Sequence, residues 1–273
     1  MPPTVLNRAQ TRLALVGAGR LGNAFAHALD VTGSIRPIGP LGRGADGAGC
    51  DVVLLCVPDA EIALAAAAIA PGPLVGHCSG ATGLKPLAPH EAFSVHPLMT
   101  VTADGATFAG ATAAVDGATD AALAFATRLA GALRMEAVRV RPEDRPAYHA
   151  AASIASNFLV TLEAAAEELA ATAGIRRHML VPLVRATVEN WASLGGELAL
   201  TGPVARGDET TVARQREAVA ERTPALIPLF DALTEATRAL ASAPSLERAP
   251  SLERAPSLEP APSLEPAPSL ERA

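Results

Sequence analysis

Aromatic residues are scarce in this chain: one tryptophan, one tyrosine and six phenylalanines make up 3% of its 273 residues. A surface built to stack nucleobases is therefore not expected. Basic clusters are missing too, and the net charge of −6 argues against a nucleic-acid partner. Three cysteines, Cys50, Cys56 and Cys78, are too few and odd in number for a disulfide framework. They read as reduced core thiols of a cytoplasmic protein. No apolar run reaches the roughly 18 residues of a membrane span without glycine, proline or charge. The stretch from Met1 to Gln10 lacks the apolar core of a secretory signal. Neither CxxC nor HExxH spacing occurs, and the adjacent His77 and Cys78 would point to opposite faces of a strand, so no metal is expected. Lysine is nearly absent, with Lys85 standing alone.

What is present is apolar: 49% of the residues are hydrophobic, enough for a substantial core. The most informative stretch is Gly17-Ala18-Gly19-Arg20-Leu21-Gly22, between the strand-like Arg12-Leu13-Ala14-Leu15-Val16 and the Ala-rich, helix-like Asn23 to Leu29. This is GxGxxG in its strand–turn–helix setting. Gly17 permits the tight turn, Gly19 lets the backbone approach a pyrophosphate, and Gly22 lets helix and strand pack closely. The helix start then offers free N–H groups to the anion. Arg20 and Leu21 belong to the same cofactor-binding turn. An NAD site usually carries an acid about 20 residues on. Here the second strand, Ile35 to Ile38, runs on to Arg43 between two glycines, with Asp46 only beyond it. A guanidinium there suits a 2′-phosphate, so NADP is the expected cofactor; the alternative is a solvated loop arginine.

Further strand signals follow at 50–57, 73–78, 93–97, 111–115 and 137–140, with helix signals at 61–70 and 119–133. The pattern predicts a Rossmann-type parallel sheet over residues 1–141. Ligands bind beyond the carboxyl ends of such strands, where Gly17, Val57, Pro58, Ser79, Gly80 and His96 fall. Ser79 and Gly80 offer backbone N–H groups to nicotinamide or substrate, or form a plain turn. His96 binds a substrate carbonyl or carboxylate, or shapes the turn before Pro97.

Residues 142–242 read as helical throughout: one long helix from Pro146 to Ala173, a second from Val181 to Leu194, a third capped by Asp208, and a fourth opened by Pro224. Such a module closes a substrate cleft or makes a homodimer. Arg206, in a Gly/Pro-flanked loop, suits a substrate carboxylate or pairs with Asp208. Residues 243–273 repeat Ala-Pro-Ser-Leu-Glu-Arg/Pro five times. With one leucine per repeat, the segment is expected to be a disordered tail.

The motifs Val16–Gly22, Val57-Pro58-Asp59, His77–Gly80, His96-Pro97-Leu98, Tyr148-His149-Ala150-Ala151-Ala152, Ser156-Asn157 and Thr201–Asp208 resemble a family. It comprises bacterial Rossmann-like proteins that carry the C-terminal domain of unknown function 2520. They are relatives of the 6-phosphogluconate dehydrogenase and ketopantoate reductase group. The resemblance covers about residues 12–240 and implies an oxidoreductase acting on a small carbonyl (2-oxo acid) substrate, ketopantoate for some members. Prephenate-dehydrogenase-like or pyrroline-carboxylate-reductase-like chemistry, or a non-catalytic NADP-binding sensor or assembly protein, are the alternatives. Related reductases often use a lysine on the long helix as proton donor, and this helix has none. Histidine is the natural substitute near neutral pH. His149 is therefore the expected donor, with Ser153, Ser156 and Asn157 at helical offsets on its face, Ser153 toward substrate and Asn157 orienting substrate or nicotinamide. The alternative is a capping or interface histidine beside a satisfied asparagine.

Overall fold

A computed structural model describes residues 11–33, 35–102 and 105–242; the repeat tail at 243–273 lies outside the described residues. The chain divides after Leu162 into two compact units.

The first unit is organised by a seven-stranded sheet in the order β2-β1-β3-β4-β5-β6-β7. β1 (Leu13–Val16), β3 (Val52–Leu55) and β4 (Leu74–His77) are buried along their whole length. That is why β1 and β3 read as unbroken apolar runs, and β4 does so up to His77: strands covered on both faces have no polar side to alternate. The chain adds β2 (Pro37–Leu41) on one side of β1 and β3 on the other. The order thus reverses beside β1, at the carboxyl ends of β1 and β3, where open α/β sheets bind ligands.

Alternate residues feed two cores. Leu13, Leu15, Leu54, Phe93 and Val95 pack with Phe25 and Leu29 of α1 (Arg20–Thr32) and with Phe125 and Leu129 of α3 (Asp120–Ala132). Ala14, Val16, Val53, Leu55 and Val75 meet Ile62 and Ala66 of α2 (Ile62–Ala67) on the other face. Gly76 is small for a reason: a Cβ there would lie 2.3 Å from the Phe93 ring, which packs edge-on against Phe125.

β5 (Ala92–Leu98) continues the parallel set, but β6 (Thr112–Gly117) runs antiparallel to it, and β7 (Glu136–Arg139) is parallel to β6. The sheet is therefore mixed at one edge. The described residues 99–102 and 105–111 contain no helix, and a parallel neighbour would need a crossover of a dozen or more residues, usually helical.

The expected single helix from Pro146 is interrupted. α4 (Arg145–Ser153) passes into a π-helical turn at Ile154–Phe158 and then into α5 (Leu159–Ala171). In the second unit, α6 spans Arg177–Leu194, beginning a turn earlier than Val181 and holding Pro182 within it. The short α7 (Gly196–Ala199) follows. α8 (Glu209–Arg222) is capped by Asp208, whose carboxylate accepts the Thr211 N–H at 3.0 Å. α9 (Ile227–Ala241) pairs with α8 through Arg238–Glu209 and Arg216–Asp231. Those two pairings require α8 and α9 to run antiparallel. Among the described residues, no helix is long and apolar enough to cross a membrane.

Candidate active site

The turn after β1 has the geometry that its glycines predict. Gly17 adopts φ +115°, and a Cβ there would sit 2.4 Å from the Cys56 carbonyl oxygen. At Gly22 a Cβ would fall 1.9 Å from the Gly17 carbonyl oxygen, so helix and turn touch. Gly19 differs: nothing lies within 4 Å of its missing Cβ. It is the N-cap of α1, with no side-chain cap and no acidic residue in the first turn. That leaves N–H groups and a positive dipole end for an anion. Asn23 ties the turn from below, donating to the carbonyls of Ala18 and Gly19 at 3.0 Å each. Arg20 is exposed at the start of α1, and Leu21 packs partly against the core. Val57 and Pro58 leave β3 directly beside this turn. Arg43 follows β2, 82% exposed, and meets Glu61 at 3.0 Å.

Beyond β4 the loop from Ser79 to Gly83 is held by a polar lattice. His77 is buried; its Nδ1 accepts the Ser79 N–H at 3.1 Å, so its Nε2 is the protonated nitrogen and donates to the Gly83 carbonyl at 3.1 Å. Burial holds its pKa below the usual histidine value. The Ser79 hydroxyl donates to Asp59 at 2.6 Å and accepts the N–H groups of Ala81 and Thr82. Both its N–H and its hydroxyl are thus spent on shaping the loop. Cys56 and Cys78, both free and buried, lie with their sulfurs 3.9 Å apart. Their contact and burial push the Cys78 thiol well above its ordinary pKa.

Arg145 binds this loop to the rest of the unit. Its side chain is 3% exposed. It donates to the carbonyls of Ser79 (3.4 Å) and Thr82 (3.1 Å) and to the Ser94 hydroxyl (2.5 Å), and pairs with Asp116 at 3.6 Å. One guanidinium therefore fastens the β4 loop, β5, β6 and the first turn of α4 together.

That fastening brings α4 against β5. One turn after Arg145, the Tyr148 hydroxyl lies 2.7 Å from Nδ1 of His96, with the rings edge-on at 5.6 Å. His149 stands next to the same imidazole, ring centroids 6.3 Å apart. The His96 ring lies over Gly80, where a Cβ would come within 2.8 Å of it. Burial, then the nearby His149 and Arg145 charges, lowers the His96 pKa to about 4, so the ring is neutral at pH 7. Burial raises the pKa of Tyr148 above the ordinary phenol value.

The π-helical turn sets the position of Asn157. In a plain α-helix, eight residues would leave it about 80° from His149. A π turn absorbs one residue, and the remaining seven leave it about 20° away. Both side chains are exposed, and the Ser153 hydroxyl donates to the His149 carbonyl at 3.1 Å. Arg206 belongs to the second unit, in the turn before α8, with its N–H on the Gly202 carbonyl. Among the described residues, no group of three His, Cys, Asp or Glu side chains is arranged for a metal.

Motif reading passes over Arg145, and it includes Asp59 and Tyr148 without giving either a role. Arg145 precedes Tyr148 by three residues and so shares its helix face; that spacing was the one local signal available.

Sheet order, reversal point and glycine turn define a protein of the Rossmann dinucleotide-binding class with a helical second unit. A family model, "Domain of unknown function (DUF2520)", matches residues 111–237. The chain carries this domain over those residues, which include the Tyr148–Ala152 and Thr201–Asp208 motifs. Among solved structures, a Thermotoga maritima protein is similar at TM-score 0.72 and 22% identity, over 85% of this chain and 100% of its own. A Bacteroides fragilis protein described as an NADP oxidoreductase gives TM-score 0.70 and 21% identity, over 84% and 98%. A reductive aminase from Aspergillus terreus, in complex with NADPH, gives 0.62 and 15%, over 85% and 98%. These likenesses bear on the fold. No curated protein matches the chain.

Proposed function

We propose that this protein is an NADP-dependent oxidoreductase that reduces a small 2-oxo acid, with ketopantoate among the candidates. The observation that carries the reading is the coincidence, along one edge of the sheet, of an anion-ready glycine turn with a polar cluster at His96, Tyr148 and His149. Gly17, Gly19, Arg20, Leu21 and Gly22 would hold the pyrophosphate, with Val57, Pro58 and Ser79 bordering the cofactor. Arg43, beyond β2 where an NAD site carries an acid, would take the 2′-phosphate. NADPH-bound neighbours of the same fold are in keeping with this choice.

When bound, the cofactor supplies a hydride. The chain's own contribution is to orient the carbonyl and to move a proton. His96 and His149 flank the site from β5 and α4, and Asn157, carried onto the His149 line by the π turn, reaches the same face. Gly80 lets the His96 ring lie flat against the β4 loop. Ser153 is a further proposed substrate contact of the first unit, and Arg206 of the second unit has the chemistry to partner a carboxylate.

The second unit supports a homodimer formed through its helices. Met179, Leu183, Trp191, Leu194 and Leu198 all expose more than half of their surface. Apolar groups in such number on helices mark an association surface.

The test is direct. NADPH oxidation is followed with a panel of 2-oxo acids, and NADPH affinity is measured by calorimetry. Consumption with one of the acids supports the reading. Tight NADPH binding without turnover on any acid supports a sensor, and no NADPH binding removes the reading.

A further inference from the structure

We infer that Tyr148 is the catalytic proton donor of this site, its phenol aligned by a hydrogen bond donated from Nδ1–H of His96. The inference rests on the oxidoreductase reading and deepens it by assigning the proton.

The geometry carries it. The Tyr148 hydroxyl makes one hydrogen bond in the described residues, to His96 Nδ1 at 2.7 Å. If that nitrogen carries the hydrogen, the phenol keeps its own O–H free to donate to a substrate oxygen. Histidine as the immediate donor is less well placed: His96 is neutral at pH 7, and its Nδ1 is already directed at the phenol. The phenol is fully protonated through the neutral range, so the donor form is always present. Other charged groups around the pair are His149 and Arg145 on α4, Asp59 and His77 acting on His96, and Asp116 behind Arg145. Arg145 is the one charge acting on Tyr148 itself, and it favours phenolate.

The proton path balances. As the carbonyl carbon gains its new C–H bond, the π electrons pass to oxygen, which takes the Tyr148 proton. The phenolate takes Nδ1–H from His96 while His96 Nε2 receives a proton from water. His149, exposed and 6.3 Å from His96 ring to ring, relays that proton from solvent through one bridging water. Tyr148 is thus the catalytic residue, His96 a positioning residue and His149 the solvent-side relay.

The chain contains a single tyrosine and a single tryptophan, which makes the test unusually clean. Tyrosinate absorbance during an alkaline titration reports Tyr148 alone, and tryptophan fluorescence in the same titration verifies that the protein remains folded. A donor at Nδ1 stabilises phenolate; an acceptor stabilises the phenol. Substituting His96→Leu should therefore move the tyrosinate transition to higher pH, and His96→Asn, whose amide can donate, should bring part of it back. A transition unmoved or lowered in His96→Leu overturns the inference without reference to activity. On a confirmed substrate, Tyr148→Phe should lower turnover by about 10²- to 10⁴-fold while NADPH affinity stays within a few fold. Turnover within threefold of the parent also overturns it. The parent rate should stay level from pH 6 to 9, whereas an imidazolium donor would lose its proton across that span. If the parent binds no NADPH, the functional reading fails, and the titration still decides how Tyr148 and His96 share their proton.

Discussion

Arg145 in the first turn of α4 and Asp116 on β6 form an ion pair of 3.6 Å in which neither side chain is more than 6% exposed. Buried pairs are weak evidence of net stability, but breaking one leaves a charge unpaired in a poor dielectric. Arg145→Ala should destabilise the first unit by about 3–5 kcal/mol. Replacing both partners with apolar residues should recover much of the loss. Denaturant midpoints of the single and double variants check this. A single variant within about 1 kcal/mol of the parent would mean that water takes over the role of Arg145.

The glycines of the turn should separate folding from binding. Gly22→Ala places a methyl 1.9 Å from backbone, so it should lower both melting temperature and NADPH affinity. Gly19→Ala meets no atom within 4 Å and has φ −76°, so stability should be kept. Affinity should still fall, because the methyl occupies the approach of the pyrophosphate. Calorimetry beside thermal melts tests the contrast, and unchanged affinity in Gly19→Ala would refute the placement of the phosphates.

Cofactor choice should depend on Arg43. Arg43→Ala should weaken NADPH by roughly 1–3 kcal/mol, the range for charged hydrogen bonds, and leave NADH nearly unchanged. Its half-buried partner Glu61 competes for the guanidinium. Glu61→Gln should therefore tighten NADPH slightly, by under about 1 kcal/mol. Equal affinities of the parent for the two cofactors would remove the argument.

Stability should fall in mild acid. His96 titrates near pH 4 when folded, against about 6.5 when unfolded. Between those values the unfolded chain binds a proton that the folded chain does not, so stability is complete above about 6.5 and declines toward pH 4. The loss is on the order of 3 kcal/mol at most, and His77, shifted in the same direction by burial, adds to it. Denaturant melts at pH 7 and 4.5 should show a smaller difference in His96→Gln than in the parent. An equal difference in both would place the acid sensitivity elsewhere.

The sheet was legible in the chain because its signal is local. Leu13–Val16 and Val52–Leu55 are apolar without interruption, Leu74–His77 is apolar up to its final histidine, and the glycine turn follows the first of them. Strand direction was not legible at β6, since an alternation of side chains is the same read either way; the helix-free stretch before Ala111 was the available clue. The site divides similarly. Gly17, Gly22 and His96 are found from motifs and strand ends. The His96–Tyr148 contact joins residues 52 positions apart, and Arg145 reaches Ser79 across 66. No local pattern encodes such pairs; they exist because α4 is laid against β5 by the packing of the whole unit. The π turn was equally hidden, because Ile154–Phe158 has no glycine or proline to announce it.

That turn also makes the helix a phase-preserving coupling. It takes up one residue between Ser153 and Leu159, so the helix beyond it keeps the phase it would have with one residue fewer. Deleting Ala155 would let an ordinary helix form, keep Arg145 and Tyr148 at their partners, and leave Asn157 seven residues from His149, still about 20° away. The residue held in the π turn can therefore be lost without changing what stands on the His149 face or touching the residues that move the proton.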